Sequence, residues 1–186
     1  MDPDEILLDT EGSMEKGFEY LQHEFAAVRT GKASPALVEN IDVEAYGSSM
    51  KLKQLALITT PEPRLLVIQP FDASTTKDIE KAIKESKLGI NPAVDGKIIR
   101  LPIPALSEER RKDLVKGIKQ MAEEARVRVR SARRDGIDAI KKAQKDGTVS
   151  EDELETYEKE VQKLTDQFGK KIDDAVTTKE ADILKV

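Results

Sequence analysis

Ala125-Arg126-Val127-Arg128-Val129-Arg130-Ser131-Ala132-Arg133-Arg134-Asp135 lies at the centre of a stretch, Leu106 to Asp146, that reads as one long helix. No proline interrupts it. Ser107 supplies an N-cap oxygen, and Glu108 and Glu109 suit the positive end of the helix dipole. The residue three after Ser107 is Arg110, so the start is not a capping box. Leu114, Ile118, Met121, Ala122, Ala125, Val129, Ala132, Gly136, Ile140 and Ala143 recur at steps of three and four. At about 100° per residue they share one apolar sector, which must be buried. Arg126, Arg130 and Arg133 form a second row about 90° round the helix, with Arg134 further out and Arg128 on the opposite flank. At about 1.5 Å per residue such a helix is on the order of 60 Å long, so equally long partners must lie beside it.

Two other segments supply them. In residues 2–30, Met14, Phe18, Leu21, Phe25 and Val28 keep a 4-3-4-3 spacing, which predicts a helix stopped at Gly31 with Arg29 in its last turn. After Asp146-Gly147-Thr148-Val149, Ser150 and Glu153 stand at capping-box spacing. The helix they open carries Leu154, Tyr157, Val161, Leu164, Phe168, Ile172 and Ala175 on one face. The short connection makes it an antiparallel neighbour of the long helix. The prediction is a three-helix bundle of residues 1–30 and 105–186.

Residues 31–104 follow a different pattern and predict an inserted small β/α/β domain. Ile41-Asp42-Val43-Glu44-Ala45-Tyr46 alternates at period two, and Gly47-Ser48-Ser49 signals a turn. Leu52, Leu55, Leu57 and Ile58 suggest a second strand region, and Arg64 to Gln69 a buried strand. Asp72-Ala73-Ser74 leads into a short helix bearing Ile79, Ala82 and Ile83, which ends at Leu88-Gly89-Ile90-Asn91-Pro92. Val94 to Lys97 resembles a turn before Ile98 to Leu101, after which Pro102 and Pro104 should stop sheet and helix alike. The predicted class is α+β: a rod with a second body at one end, joined through Thr30, Gly31, Pro102, Pro104 and Ala105 as a double hinge.

Composition restricts the chemistry. Of 186 residues, 38% are hydrophobic but only 4% aromatic, which suits aliphatic helix packing. There is no cysteine, hence no disulfide, thiolate metal site or cysteine nucleophile. The acidic start Met1-Asp2-Pro3-Asp4-Glu5 is unlike a signal or transit peptide, and no apolar run reaches the ~20 residues of a membrane span, so a cytoplasmic protein without membrane contact is expected. His23, the one histidine, is expected to be packed or at the surface, not a ligand or base. Gly31-Lys32-Ala33-Ser34 lacks the earlier glycine and the hydroxyl residue of a phosphate-binding loop, and no HExxH, GxGxxG or GxSxG occurs. No catalytic residue, metal or cofactor is predicted, and the chain is not expected to be an enzyme.

Charge distribution points elsewhere. The formal charge is −5, yet residues 107–146 carry +5, against −6 in residues 1–30, +1 in 31–106 and −5 in 147–186. Arginines along a rigid helix suit forked contacts to phosphates of a folded RNA. The same arginines could instead pair with the acidic outer helices of a protein-interaction scaffold or chaperone-like protein, and the residues taken alone leave both readings open.

Several blocks together resemble the ribosome recycling factor family. They are Val28-Arg29-Thr30-Gly31-Lys32-Ala33-Ser34-Pro35, Gln54-Leu55-Ala56, Leu88 to Pro92, Arg100 to Lys112, and Ala125-Arg126 through Arg133-Arg134-Asp135. The resemblance covers essentially the whole chain. It implies an L-shaped molecule and binding to ribosomal RNA of the large ribosomal subunit. It further implies cooperation with the GTPase elongation factor G to split the post-termination ribosome, and a monomer. By position in these motifs it implies Arg29, Arg126, Arg130, Arg133 and Arg134 as RNA-binding residues. Two departures stand out: Arg128, where the family more often has an uncharged residue, and Gly47-Ser48-Ser49-Met50, which lacks the usual proline-containing turn.

Overall fold

A computed structural model describes residues 2–184. The chain divides into two compact units, one formed by residues up to Phe25 with Val115–Ala181, the other by Ala26–Leu114 with the residues from Asp182.

The first unit is a three-helix bundle made from most of α1 (Pro3–Ala26), α4 (Glu108–Lys145) and α5 (Glu151–Leu184). Ser107 caps α4 by accepting the Arg110 N–H at 3.1 Å, and Ser150 caps α5 by accepting the Glu153 N–H at 3.2 Å. Partner pairs set the directions. Thr10 meets Gly136 and Gly17 meets Arg128, so α1 and α4 are antiparallel. Arg133 meets Gln162 and Arg126 meets Asp173, so α4 and α5 are antiparallel. Tyr157 donates to Asp4, and Phe18 packs on Phe168, so α1 and α5 run parallel.

The predicted stripe of α4 is the buried face: Ile118, Ala122, Ala125, Val129, Ala132, Gly136, Ile140 and Ala143 are buried, with Leu114 and Met121 half-buried at its edge. On α1 the buried set is wider than the 4-3-4-3 spacing, because Ile6, Thr10 and Gly17 join Met14, Phe18, Leu21 and Phe25. Ile6 packs with Ile140, Ala143 and Val149 to close one end of the bundle. Thr10 tolerates burial because its hydroxyl donates to the Ile6 carbonyl at 2.8 Å.

Thr10 also explains Gly136. A Cβ at Gly136 would stand 2.5 Å from Thr10 Oγ1 and 3.0 Å from its Cγ2. Gly136→Ala is therefore expected to destabilise the bundle by about 0.5–2 kcal/mol, overpacking outweighing the roughly 1 kcal/mol that alanine gains over glycine in a helix. Adding Thr10→Ala should remove the penalty, giving a clear coupling in a four-protein urea-denaturation cycle. Additive effects would mean that the two helices are not in contact at this point.

The second unit contains a two-stranded hairpin, β1 (Asp42–Ala45) with β2 (Ser48–Lys51), and an antiparallel sheet ordered β3-β4-β6-β5. Its strands are β3 (Ala56–Glu62), β4 (Leu65–Pro70), β5 (Ala93–Asp95) and β6 (Ile98–Pro102). A single turn, α2 (Leu52–Leu55), precedes β3, and α3 (Thr76–Glu85) links β4 to β5. Alternation along β4 and β6 buries Leu66, Ile68, Ile99 and Leu101 on one face, against Ile79 and Ile83 of α3 and Val43 and Leu52. The chain is thus α+β, helices plus an antiparallel sheet.

Several local expectations are corrected. The first helix ends at Ala26, short of Thr30, so Arg29 lies beyond its last turn. Val28 and Thr30 are β-branched, the buried stripe stops at Phe25, and Arg29 is engaged by a tertiary hydrogen bond to Pro104. The turn assigned to Gly47-Ser48-Ser49 is Tyr46-Gly47, with φ of 54° and 77°, and Ser48 already belongs to β2. Leu52 and Leu55 sit on a helical turn between strands. The short helix ends at Glu85, before Leu88. Ala93–Asp95 is a strand, and Pro102 closes β6 opposite Leu65 instead of ending the sheet before it. A proline is tolerated there because it is the terminal residue of its strand.

Candidate functional site

The arginine row of α4 is set by the burial of its neighbours. With Ala125, Val129 and Ala132 packed inward, Arg126, Arg130 and Arg133 emerge along one edge facing α5. Each has a different partner. Arg126 donates to Asp173 at 2.8 Å and lies 3.5 Å from Glu123. Arg130 reaches back two turns to Glu123 at 2.8 Å. Arg133 donates through Nε to the Gln162 side-chain oxygen at 2.8 Å, and Gln162 in turn donates to Asp166 at 2.9 Å. Arg134 is exposed, and its guanidinium has no hydrogen bond or ion pair among the described residues. The hydrogen bond from Arg130, with Arg126 assisting, holds the Glu123 carboxyl below the usual carboxylate range against an opposing effect of desolvation.

Arg128 belongs to another surface. Its guanidinium stacks 4.3 Å from the Tyr20 ring centroid on α1, a cation–π contact that uses the flank opposite the row.

Arg29 belongs to the second unit. It donates to the carbonyl of Pro104, tying together the two chain crossings at residues 29–33 and 102–105. Burial, and then the positive charge of Arg110, lower its pKa from the ordinary arginine value. Among the described residues, Arg29 Nε and Arg111 Nε are buried without a hydrogen-bond partner, two cationic donors that these residues do not satisfy. The crossings are also fastened to the β3–β4 turn: Ala33 N–H donates to the Pro63 carbonyl and Ile103 N–H to that of Arg64, both at 2.7 Å. Of the residues that the sequence marks as a hinge, Thr30 hydrogen-bonds locally to Lys32, and Pro102 pairs within β6.

Residues 21–184, which contain the arginine row, both crossings and the whole sheet domain, match the family model described as ribosome recycling factor. The chain belongs to the ribosome recycling factor family. The ribosome-recycling factor of Akkermansia muciniphila is 58% identical over 188 residues, covering 100% of each chain. That of Rubrobacter xylanophilus is 51% identical over 180 residues, covering 97% of each. Among solved structures, the solution structure of a ribosome recycling factor superposes with a TM-score of 0.80 at 42% identity, over 100% of this chain and 99% of that one. A T. thermophilus ribosome recycling factor, described with E. coli elongation factor G as bound to the E. coli post-termination complex, matches with a TM-score of 0.69 at 45% identity over the full length of both chains.

The helical spacing of the arginines is legible in the sequence, but not the groups that hold them. Glu123 could have been seen, three residues before Arg126 and seven before Arg130 on one helix face. Asp173 and Gln162 could not, because their approach depends on the register between α4 and α5, which periodicity does not fix. His23, which the sequence reading set aside as ligand or base, is exposed on α1.

Proposed function

We propose that this chain binds ribosomal RNA of the large ribosomal subunit after termination and, with elongation factor G and GTP, splits the post-termination ribosome so that its subunits are reused. What supports this reading is the full-length similarity to a recycling factor described together with elongation factor G on the post-termination complex, joined to an arginine row whose far end, Arg133 and Arg134, has no acidic partner among the described residues. The protein acts as a monomeric cytoplasmic translation factor without a cofactor, the GTPase partner supplying the hydrolysis. Among the described residues no helix is long and apolar enough to cross a membrane.

In this reading residues 1–30 and 105–186 anchor the factor, through Arg126, Arg130, Arg133 and Arg134 and through Arg29 at the crossing. Residues 31–104 are the body that elongation factor G displaces. Thr30, Gly31, Pro102, Pro104 and Ala105 transmit the displacement as a hinge. Because the chain has no cysteine, a disulfide engineered between the two linkers can be closed and reopened at will. Oxidation should strongly reduce subunit splitting, followed by light scattering with elongation factor G and GTP, while pelleting with large subunits stays near the wild-type level. Full splitting by the oxidised protein would show the linkers to be passive and remove this mechanism.

A further inference from the structure

The arginines of the α4 row are not equivalent cations. Asp173, Arg126, Glu123 and Arg130 form a continuous chain of charge contacts at 2.8, 3.5 and 2.8 Å. Arg133 has a neutral amide, and Arg134 has no hydrogen bond or ion pair among the described residues. One end of the row is thus already neutralised within the protein and the other end is open.

Stability is a weak reason for this chain. Glu123, Asp173 and Arg130 have side chains 56, 66 and 58% exposed, a setting in which ion pairs contribute little. Both bonds of Glu123 stay within α4 and fasten no helix to another; only Arg126–Asp173 crosses to α5. The carboxylates do, however, occupy the donors that an RNA phosphate would need.

We propose that Glu123 and Asp173 are tethered counter-ions that determine RNA selectivity: they hold Arg126 and Arg130 in the free protein and yield them only to RNA presenting phosphates at both positions at once. The proposal rests on the reading of the row as an RNA surface. Its physical basis is ion exchange. A bare arginine binds any polyanion because mobile counter-ions are released. An arginine neutralised by a carboxylate of its own chain releases none, and the displaced carboxylate stays nearby and repels a phosphate that is not well placed. Glu123 is shared, so Arg126 and Arg130 are surrendered together, which favours a rigid backbone of matching spacing over RNA in general. Arg133 and Arg134 supply the first contact.

The test compares Glu123→Gln, Asp173→Asn and the double variant with wild type on two probes: purified large ribosomal subunits and an A-form RNA duplex of unrelated sequence. Glu160→Gln is the charge control. It makes the same net change from an exposed position on the flank of α5 opposite Gln162 and Asp173. Glu123→Gln should tighten duplex binding about threefold to tenfold, with a further gain in the double variant. The slope of log K against log salt should steepen by about one. Binding to large subunits should improve less, so the ratio of the two affinities falls. A change no larger than in Glu160→Gln overturns the proposal. Weaker duplex binding also overturns it, because Glu123 would then be aligning the arginines instead of withholding them. An equal gain on both probes removes the selectivity claim. None of these outcomes depends on whether alanines at Arg130, Arg133 and Arg134 abolish subunit binding, which tests the RNA surface itself.

Discussion

Phe168→Ala is expected to lower the unfolding free energy of the bundle by about 3–5 kcal/mol, through lost burial and the cavity left behind. Phe168 is 2% exposed on α5, and its ring meets that of Phe18 on α1 edge-on, with centroids 6.5 Å apart and planes at 63°. Such an aromatic pair adds about 0.5–1.5 kcal/mol beyond the area it buries. Lys171 lies over both rings, 4.7 Å from Phe168 and 5.8 Å from Phe18, so truncation also removes the better of two cation–π contacts. The chain is poor in aromatics, with four phenylalanines and no tryptophan, and two of those four meet here. Leu164 on the same face is only half-buried, so Leu164→Ala should cost clearly less. Urea denaturation should show a lowered midpoint with an unchanged slope for Phe168→Ala. A midpoint shift no larger than that of the exposed Lys163→Ala would mean that α1 and α5 do not pack as described.

The bundle was legible in the sequence because its information is periodic. A stripe such as Ile118-Ala122-Ala125-Val129-Ala132 can be buried in only one way, and Ser107 and Ser150 mark the starts of their helices through a local chemistry that needs no tertiary context. Where the reading failed, a long-range contact overrode a local signal. Gly31 looked like the stop of α1, but the helix yields five residues earlier, where the buried stripe ends and Arg29 turns to the Pro104 carbonyl. Ser48 and Ser49 look like turn residues and become strand, because Tyr46 accepts a positive φ, with its hydroxyl donating to Asp72 at 2.6 Å. β5, three exposed residues long, had no apolar alternation to reveal it and is defined by its pairing with β6. The candidate site follows the same rule. The row of arginines was visible as helical spacing on one element, whereas which arginine is paired and which is open depends on Asp173 and Gln162 of another.

That division has a direct consequence for binding. The triple variant Arg130, Arg133 and Arg134 to alanine should bind large ribosomal subunits about 100-fold more weakly, if each phosphate contact contributes about 1 kcal/mol net. The salt dependence should flatten as well: the lost contacts of Arg133 and Arg134 each remove about 0.7–0.9 from the slope of log K against log salt, whereas Arg130, neutralised by Glu123, contributes little to it. Fold should be spared, since all three side chains lie outside the buried stripe and alanine is the best helix former. Circular dichroism should therefore match wild type. The single variants should not be equal. Arg134, with no partner to give up, should lose the most on truncation. Arg126, held by Asp173 and Glu123, should lose the least, because any contact it makes to phosphate must first break contacts that the free protein already makes. Sedimentation with purified large subunits across a salt series measures both affinity and slope. If the triple variant sediments like wild type at every salt concentration, the row is a structural edge of the bundle, and the RNA contacts lie elsewhere, with the unsatisfied donors of Arg29 and Arg111 the next place to look. If instead the singles rank Arg126 above Arg134, phosphates engage the neutralised end first and the order of contact proposed for the row is reversed.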